Sequence, residues 1–357
     1  EILIKYLPFY FKNKKYFKFG SLIYTSFLTS IIISSLILTF LNIFSSEISN
    51  IYKNEGFELV IPFFSVNLFF TILCLNSNSI LISLKKVWQS NFSERTIMNL
   101  ANCIQLFLMY KLGTPINLIT VSIILINGKL FSLIFSLIFS YKYLKYVEFK
   151  NYSFLKNFNL SSNLLFSELS LKIVATISPL IIGMFLSTQE VGFFYTAFLL
   201  ANFISFFIVI ANNLVSNRLS NLFHLKANLK ILEINKKTSF YLGFFGILAF
   251  ILFIFFGKYI LSFWGEQFVY NSYLILLILA FGEVINCFGG CSGIIIPICN
   301  LEKKGLKISY LCSILNLILQ FSLIPNFGII GAAISTSLSV IVYNILKLNI
   351  VYSGLKK

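Results

Sequence analysis

Apolar residues run along this chain in unbroken stretches far longer than a half-buried strand or an amphipathic stripe requires, and short polar clusters separate them. A hydrocarbon core about 30 Å thick takes around 20 mostly apolar helical residues to cross. That ruler predicts ten membrane-spanning helices, over residues 19–44, 59–83, 96–112, 116–140, 160–186, 191–214, 238–262, 270–298, 306–324 and 328–350. The stretch at 96–112 is short, and the one at 160–186 opens on polar residues. The first run follows a basic stretch holding Lys5, Lys12, Lys14, Lys15 and Lys18, which resembles the start of a signal peptide. It continues to about Phe44 with no small-residue cleavage pattern, so it is read as a retained span.

Charge tests the count. The formal net charge is +16, from 28 Lys and Arg against 12 acids. Twenty-three of those 28 basic residues fall in the first, third, fifth, seventh, ninth and last hydrophilic segments, ending with Lys347, Lys356 and Lys357. The alternate segments carry only Lys53, Lys111 and Lys258, together with Glu47, Glu55, Glu58, Glu190 and Glu266. Cytoplasmic loops are the ones enriched in Lys and Arg, so the alternation predicts that both ends lie on the cytoplasmic side. One helix too many or too few would invert every later loop. The basic surface is explained by anionic lipid heads, which leaves nucleic-acid binding without dedicated support.

Composition narrows the class further. Of 357 residues, 58% are hydrophobic and 11% charged, against roughly 25% charged in a soluble domain. The outer segments are short, which leaves no room for an extracytoplasmic catalytic domain. There is one histidine, His224, in a basic segment, and no Asp at all. No Cys/His cluster has metal-ligand spacing; Cys287 and Cys291 are one helical turn apart, but further ligands are missing and packing explains them. An enzyme is not expected, and neither a metal nor another cofactor is implied.

The ionisable groups at membrane depth are the candidate chemistry: Lys129, Glu168, Lys172 and Glu283. Each costs about 2.5–3.5 kcal/mol on insertion scales, so each is expected to face a cavity or a partner. Glu168 and Lys172 are four residues apart and share a helix face, either as a pair or as groups snorkelling from the helix end. Lys129 is too deep to snorkel comfortably and is read as a cavity residue. Glu283, between Ala280-Phe281-Gly282 and Val284-Ile285-Asn286, is either a functional carboxylate or one hydrogen-bonded to a neighbouring helix. Pro62, Pro179 and Pro297 permit kinks, and Gly289, Gly290, Gly293, Gly328 and Gly331 offer small faces for close helix approach.

Four stretches carry a family resemblance: Val191-Gly192-Phe193-Phe194-Tyr195-Thr196-Ala197, Asn212 to Ser220, Leu279 to Asn286, and Ile324-Pro325-Asn326-Phe327-Gly328 continuing to Ser339. From about residue 160 onward their order and spacing resemble the polysaccharide-export branch of the MOP (multidrug, oligosaccharidyl-lipid, polysaccharide) exporter superfamily, and most of all its Wzx-type flippases of O-antigen or capsule repeat units. The resemblance implies an all-α, two-lobed bundle of the MOP/MATE kind with six helices per lobe. Residues 1–157 would then be four spans of an incomplete N-terminal lobe and residues 158–357 a complete C-terminal lobe, with two spans missing at the N-terminus. Many relatives carry an Asp near the position of Ile177-Ser178-Pro179, and this chain does not.

The function implied is translocation of a polyprenyl-pyrophosphate-linked oligosaccharide across the cytoplasmic membrane by alternating access. Lys129 and Lys172 would attract the pyrophosphate, while Glu283 or Glu168 would couple the motion to protons or sodium. Expected partners are the lipid-linked sugar, membrane lipids, a polysaccharide polymerase and a chain-length regulator. The alternatives are a lipid II flippase, a MATE-type antiporter and, least fitting, an O-antigen polymerase or ligase.

Overall fold

The computed structural model describes residues 2–52, 56–115, 117–144 and 177–355. These residues are almost entirely helical and divide into two compact units, Glu1–Leu165 and Phe166–Lys357.

In the first unit a short helix, α1 (Ile2–Lys12), leads into α2 (Tyr16–Ile43), α3 (Ser45–Ile51) and α4 (Gly56–Ser83). A further rod follows, made of α5 (Val87–Asn91), a π-helical segment over Phe92–Ile97 and α6 (Met98–Lys111), and then α7 (Leu118–Leu144). α2 and α4 have 28 residues each, about 42 Å at 1.5 Å per residue, enough to cross the hydrocarbon with a turn to spare at each end. The large side chains of α2, α4 and α7 face outward: Ile31, Ile32, Leu36, Phe40, Phe64 and Ile138 are exposed, while Ser34, Ser65, Ser77, Ser132, Ser136 and Ser140 are buried. A water-soluble bundle would reverse this. With lipid as solvent, small residues mediate helix contact and bulky apolar ones face the chains. The buried hydroxyls remain satisfied by bonding back into their own helices, as Ser34 Oγ does to Ser30 O at 2.6 Å, or across helices, as Ser77 and Ser140 do at 3.1 Å.

The second unit begins with helical residues 177–185 and continues through α8 (Thr188–Asn202), α9 (Phe206–His224), α10 (Asn228–Ser262), α11 (Glu266–Phe288), α12 (Ser292–Ile298) and α13 (Glu302–Leu355). Ser187 caps α8 with its side chain, and Glu190 bonds back to the Ser187 backbone, a reciprocal capping box that fixes where the helix starts. Ile182, Phe194, Leu276, Ala280 and Ala333 build one core, and Leu219, Ile231, Ile295 and Val351 a second. Cys287 belongs to the first and Cys291 to the second, both fully buried as small apolar side chains.

Seven segments among the described residues are long and apolar enough to cross a membrane. The last is one unbroken helix only by its hydrogen bonds. At 54 residues a straight rod would be about 80 Å long. Gly328 breaks it with φ 59° and ψ −142°, a conformation open to glycine, and Gly331 beyond the break packs against the backbone of Leu323 before it. The chain therefore turns back on itself between the spans expected at 306–324 and 328–350. The span expected at 96–112 is a 14-residue helix continuing the π segment, and that at 160–186 lies mostly outside the described residues.

Two spans are interrupted inside the second unit. Between α8 and α9, Phe203, Ile204 and Ser205 bond three residues back instead of four, and between α11 and α12 residues 289–291 form a turn. Along α11 and the second half of α13 runs a seam of close approach: Gly282 meets Ser337, and seven residues later Gly289 meets Asn344. Equal spacing on both helices means they run parallel. A Cβ on Gly282 would stand 3.0–3.1 Å from three atoms of Ser337, including its Cα. Gly282→Val is therefore expected to destabilise the protein by about 1–3 kcal/mol through overpacking. Gly192→Ala, on a helix with open space around it, is expected to be neutral or mildly stabilising; thermal unfolding of the purified proteins in detergent compares the two.

Candidate functional site

The interrupted helix α8–α9 and the seam between α11 and α13 converge on one carboxylate. Glu283 projects from α11 toward the break, where Ser205 Oγ donates to Glu283 Oε2. Asn286, one turn along α11, donates to the same oxygen at 2.9 Å. Ser205 stands at the end of the break, where the chain passes from α8 to α9. Its looser backbone is tied down as well, with Cys287 Sγ 3.9 Å from Ile204 O.

Glu283 lies on the wall of a cavity of about 230 Å³, lined also by Phe198, Asn202, Ser309, Thr336, Tyr343 and Asn344. Amides and hydroxyls dominate its polar face, with two aromatic rings and one carboxylate. Thr336 connects this cavity to a buried polar cluster deeper in the unit. Thr336 Oγ1 and Ser178 Oγ lie 3.0 Å apart, and Gln320 Nε2 donates to Ser178 Oγ at 2.6 Å and to Asn316 Oδ1 at 2.7 Å. All four side chains are buried, and Asn316 Nδ2 and Gln320 Oε1 have no hydrogen-bond partner among the described residues. Ser178 occupies the region where the family resemblance places an Asp; here amides and hydroxyls fill that part of the lobe.

Of the residues singled out in the sequence, Glu283 is thus placed in a polar cavity. Lys129 is half-buried on α7 in the first unit, next to the notch where Gly128 meets Asn102, and forms no ion pair among the described residues. Glu168 and Lys172 lie outside the described residues.

Lys347 is where the structure departs from the sequence reading. Counted above as a lysine of the last hydrophilic segment, it sits inside α13 with 8% of its surface exposed and its Nζ 5.0 Å from the centre of the Tyr343 ring. Sequence position alone hides this, since hydropathy ends the span three residues later. Asn344, one turn before it, is spaced to share its face, and that i, i+3 pairing is the signal that was available. Among the described residues the ion pair that does form, Lys237 with Glu233 at 2.8 Å, is exposed on the extension of α10 that precedes its span, and contributes little there.

A family model described as polysaccharide biosynthesis protein matches residues 20–230, more than half of the chain. The chain belongs to that family. The match extends further toward the N-terminus than the stretches that carried the resemblance. Solved structures share its fold. An inward-facing multidrug resistance MATE family transporter of the MOP superfamily aligns with a TM-score of 0.82 at 13% identity, covering 99% of this chain and 85% of the other. Lipid II flippase MurJ in an inward closed conformation aligns with a TM-score of 0.70 at 18% identity, over 95% of this chain and 73% of the other. An outward-facing MATE family transporter aligns at 0.65 and 14%, over 95% and 78%. None of the curated proteins compared by sequence matches. The fold is the all-α bundle of multi-pass MOP proteins, and the structural neighbours are transporters and flippases, not enzymes.

Removing the Ser205 hydroxyl leaves a cavity carboxylate short of one donor. Ser205→Ala is expected to cost about 1–3 kcal/mol, measured as a lower unfolding midpoint, whereas Ser46→Ala, whose hydroxyl bonds an exposed Glu47, should leave the midpoint unchanged.

Proposed function

We propose that this protein is a flippase, which moves a polyprenyl-pyrophosphate-linked oligosaccharide across the cytoplasmic membrane by alternating access for surface polysaccharide assembly. Membership of the polysaccharide biosynthesis family is the observation that carries this reading. The shared fold with MurJ, described as a lipid II flippase, supports it by giving a lipid-linked saccharide as cargo for the same architecture. The physical task is a hydrated, anionic head that hydrocarbon excludes, attached to a tail that hydrocarbon welcomes. A polar path through the protein beside a lipid-facing exterior solves both halves of that problem.

The cavity beside Glu283 presents amide and hydroxyl groups with the Phe198 and Tyr343 rings, a lining suited to sugar hydroxyls and their apolar faces. Lys129 and Lys172 are assigned to the pyrophosphate, and Glu283, with Glu168, to coupling with a proton or sodium gradient. The loop charges favour both ends on the cytoplasmic side of the inner membrane. O-antigen and capsule repeat units are the favoured cargo, with the polymerase and chain-length regulator acting after it. Lipid II is the alternative cargo. A MATE-type antiporter is the second reading, favoured by the likeness to MATE transporters and by a carboxylate in the cavity.

In a strain lacking the protein, lipid-linked repeat units are expected to accumulate on the cytoplasmic face, read by their resistance to an added periplasmic glycosidase or lectin. Units accumulating unpolymerised on the outer face would overturn the proposal. Lys129→Ala with Lys172→Ala is expected to lower surface polysaccharide at least tenfold without loss of protein from the membrane, a decrement of about 1.4 kcal/mol or more in barrier terms.

A further inference from the structure

Two cavities meet at Glu283. One is the polar cavity described above, and beside it lies a second of about 10 Å³, whose wall includes Phe198, Asn202, Gly282, Glu283, Thr336 and Ser337. A space of that size takes one water molecule and nothing larger, provided that two to four polar partners surround it.

The polar groups on this small wall have their hydrogens committed elsewhere. Thr336 Oγ1 donates to Ala332 O at 2.8 Å. A hydroxyl carries one hydrogen, so in the 3.0 Å contact between Ser178 and Thr336 the serine donates and the threonine accepts. Ser178 in turn accepts from Gln320 Nε2 at 2.6 Å, which gives the buried cluster one direction, from Gln320 through Ser178 and Thr336 to Ala332 O. Ser337 Oγ spends its hydrogen on Ile278 O at 2.8 Å, and Asn202 Nδ2 spends one of its two on Phe198 O at 3.0 Å. Thr336 and Ser337 thus retain acceptor positions and have no hydrogen to give. An ionised carboxylate also only accepts; Glu283 takes Ser205 and Asn286 on Oε2, and its Oε1 receives no bond among the described residues. Glu283 and Thr336 face one small space as two acceptors, which cannot bond to each other.

We propose that one ordered water occupies the small cavity and ties Glu283 to Thr336. It donates one hydrogen to the carboxylate and the other to Thr336 Oγ1, and accepts the second N–H of Asn202. Three bonds are the usual complement of a buried water. Thr336 is then a positioning residue, which acts on Glu283 through the water. Because Thr336 also accepts from Ser178, the bridge joins the setting of the carboxylate to the cluster that packs residues 177–185 against both halves of α13. The inference concerns how Glu283 is held and assumes no cargo, so it and the flippase reading can each fail without the other.

A crystal or cryo-EM structure of the purified full-length chain, at a resolution where buried waters are seen, tests the site directly. Density for one water within about 3.2 Å of Glu283, Asn202 and Thr336 is expected. A closed cavity or one without density overturns the proposal, as does an atom held by oxygens at about 2.5 Å or less, the mark of a metal cation. Thermal unfolding in detergent tests the bridge. Glu283→Ala and Thr336→Val each break it, so the double variant is expected to unfold within about 1 °C of the less stable single variant. Shifts that add show two side chains acting independently and overturn the proposal. Thr336→Ser keeps the hydroxyl, and Glu283→Ala is expected to cost as much in that background as in wild type. A cost as small as in the valine background assigns the effect to the lost methyl group and overturns the bridge. Where the valine variant does not fold, the wild-type structure still decides.

Discussion

Hydrocarbon offers no hydrogen bonds, and that constraint governs every polar group in this chain. Backbone amides are satisfied by uninterrupted helices across most of the spans. Serine and threonine hydroxyls, frequent in α2, α4 and α7, bond to carbonyls three or four residues back within their own helix, as Thr25 and Thr29 do. Polarity is thereby carried into the membrane without cost to the ladder. The same constraint turns large apolar side chains outward and leaves small ones at helix contacts, so the sidedness of each helix follows from the solvent and not from any amphipathic pattern.

Against that background, departures from the ladder need support, and they occur inside a unit. Phe203–Ser205 and residues 289–291 interrupt two spans among the described residues of the second unit, on the helices that carry Ser205 and Glu283. At the first, Ser205 donates to the carboxylate. The second is braced by Asn235, whose Oδ1 accepts the Cys291 amide at 2.9 Å. Broken helices lining a polar site within a membrane protein are tolerated because the freed groups find partners in the cavity wall. Here the break, the carboxylate and the cavity adjoin one another, with Ser205 at the break and Asn286 on α11 both donating to Glu283.

Much of this was legible before any coordinates. Span positions follow from unbroken apolar length, including the separation of the runs at 306–324 and 328–350, and the enclosed, partnered setting of Glu283 from the cost of a carboxylate between Gly282 and Val284. The break at Phe203-Ile204-Ser205 was not legible, because these residues include neither glycine nor proline and each is at home in a helix; tertiary bonds from Cys287 and Glu283 hold it. Lys347 was misplaced because hydropathy reports how apolar a window is and not which side of its helix is covered. The pairing of Gly282 with Ser337 and Gly289 with Asn344 settles that side, and it arises from contact between two helices far apart in sequence. For Glu168 and Lys172 the sequence remains the whole of the argument.

The cavity lining bears on cargo more than the presence of a carboxylate does. A site for an organic cation relies on unopposed negative charge and aromatic faces, because desolvating a cation has to be offset by a fixed counter-charge. Glu283 is already engaged, since Ser205 and Asn286 both donate to it. The rest of the lining is neutral, supplied by Asn202, Ser309, Thr336 and Asn344. Neutral groups that both donate and accept match a sugar, whose hydroxyls do the same. A mostly neutral, amide-rich lining therefore supports the proposed saccharide reading over that of a cationic drug, which calls for fixed counter-charge.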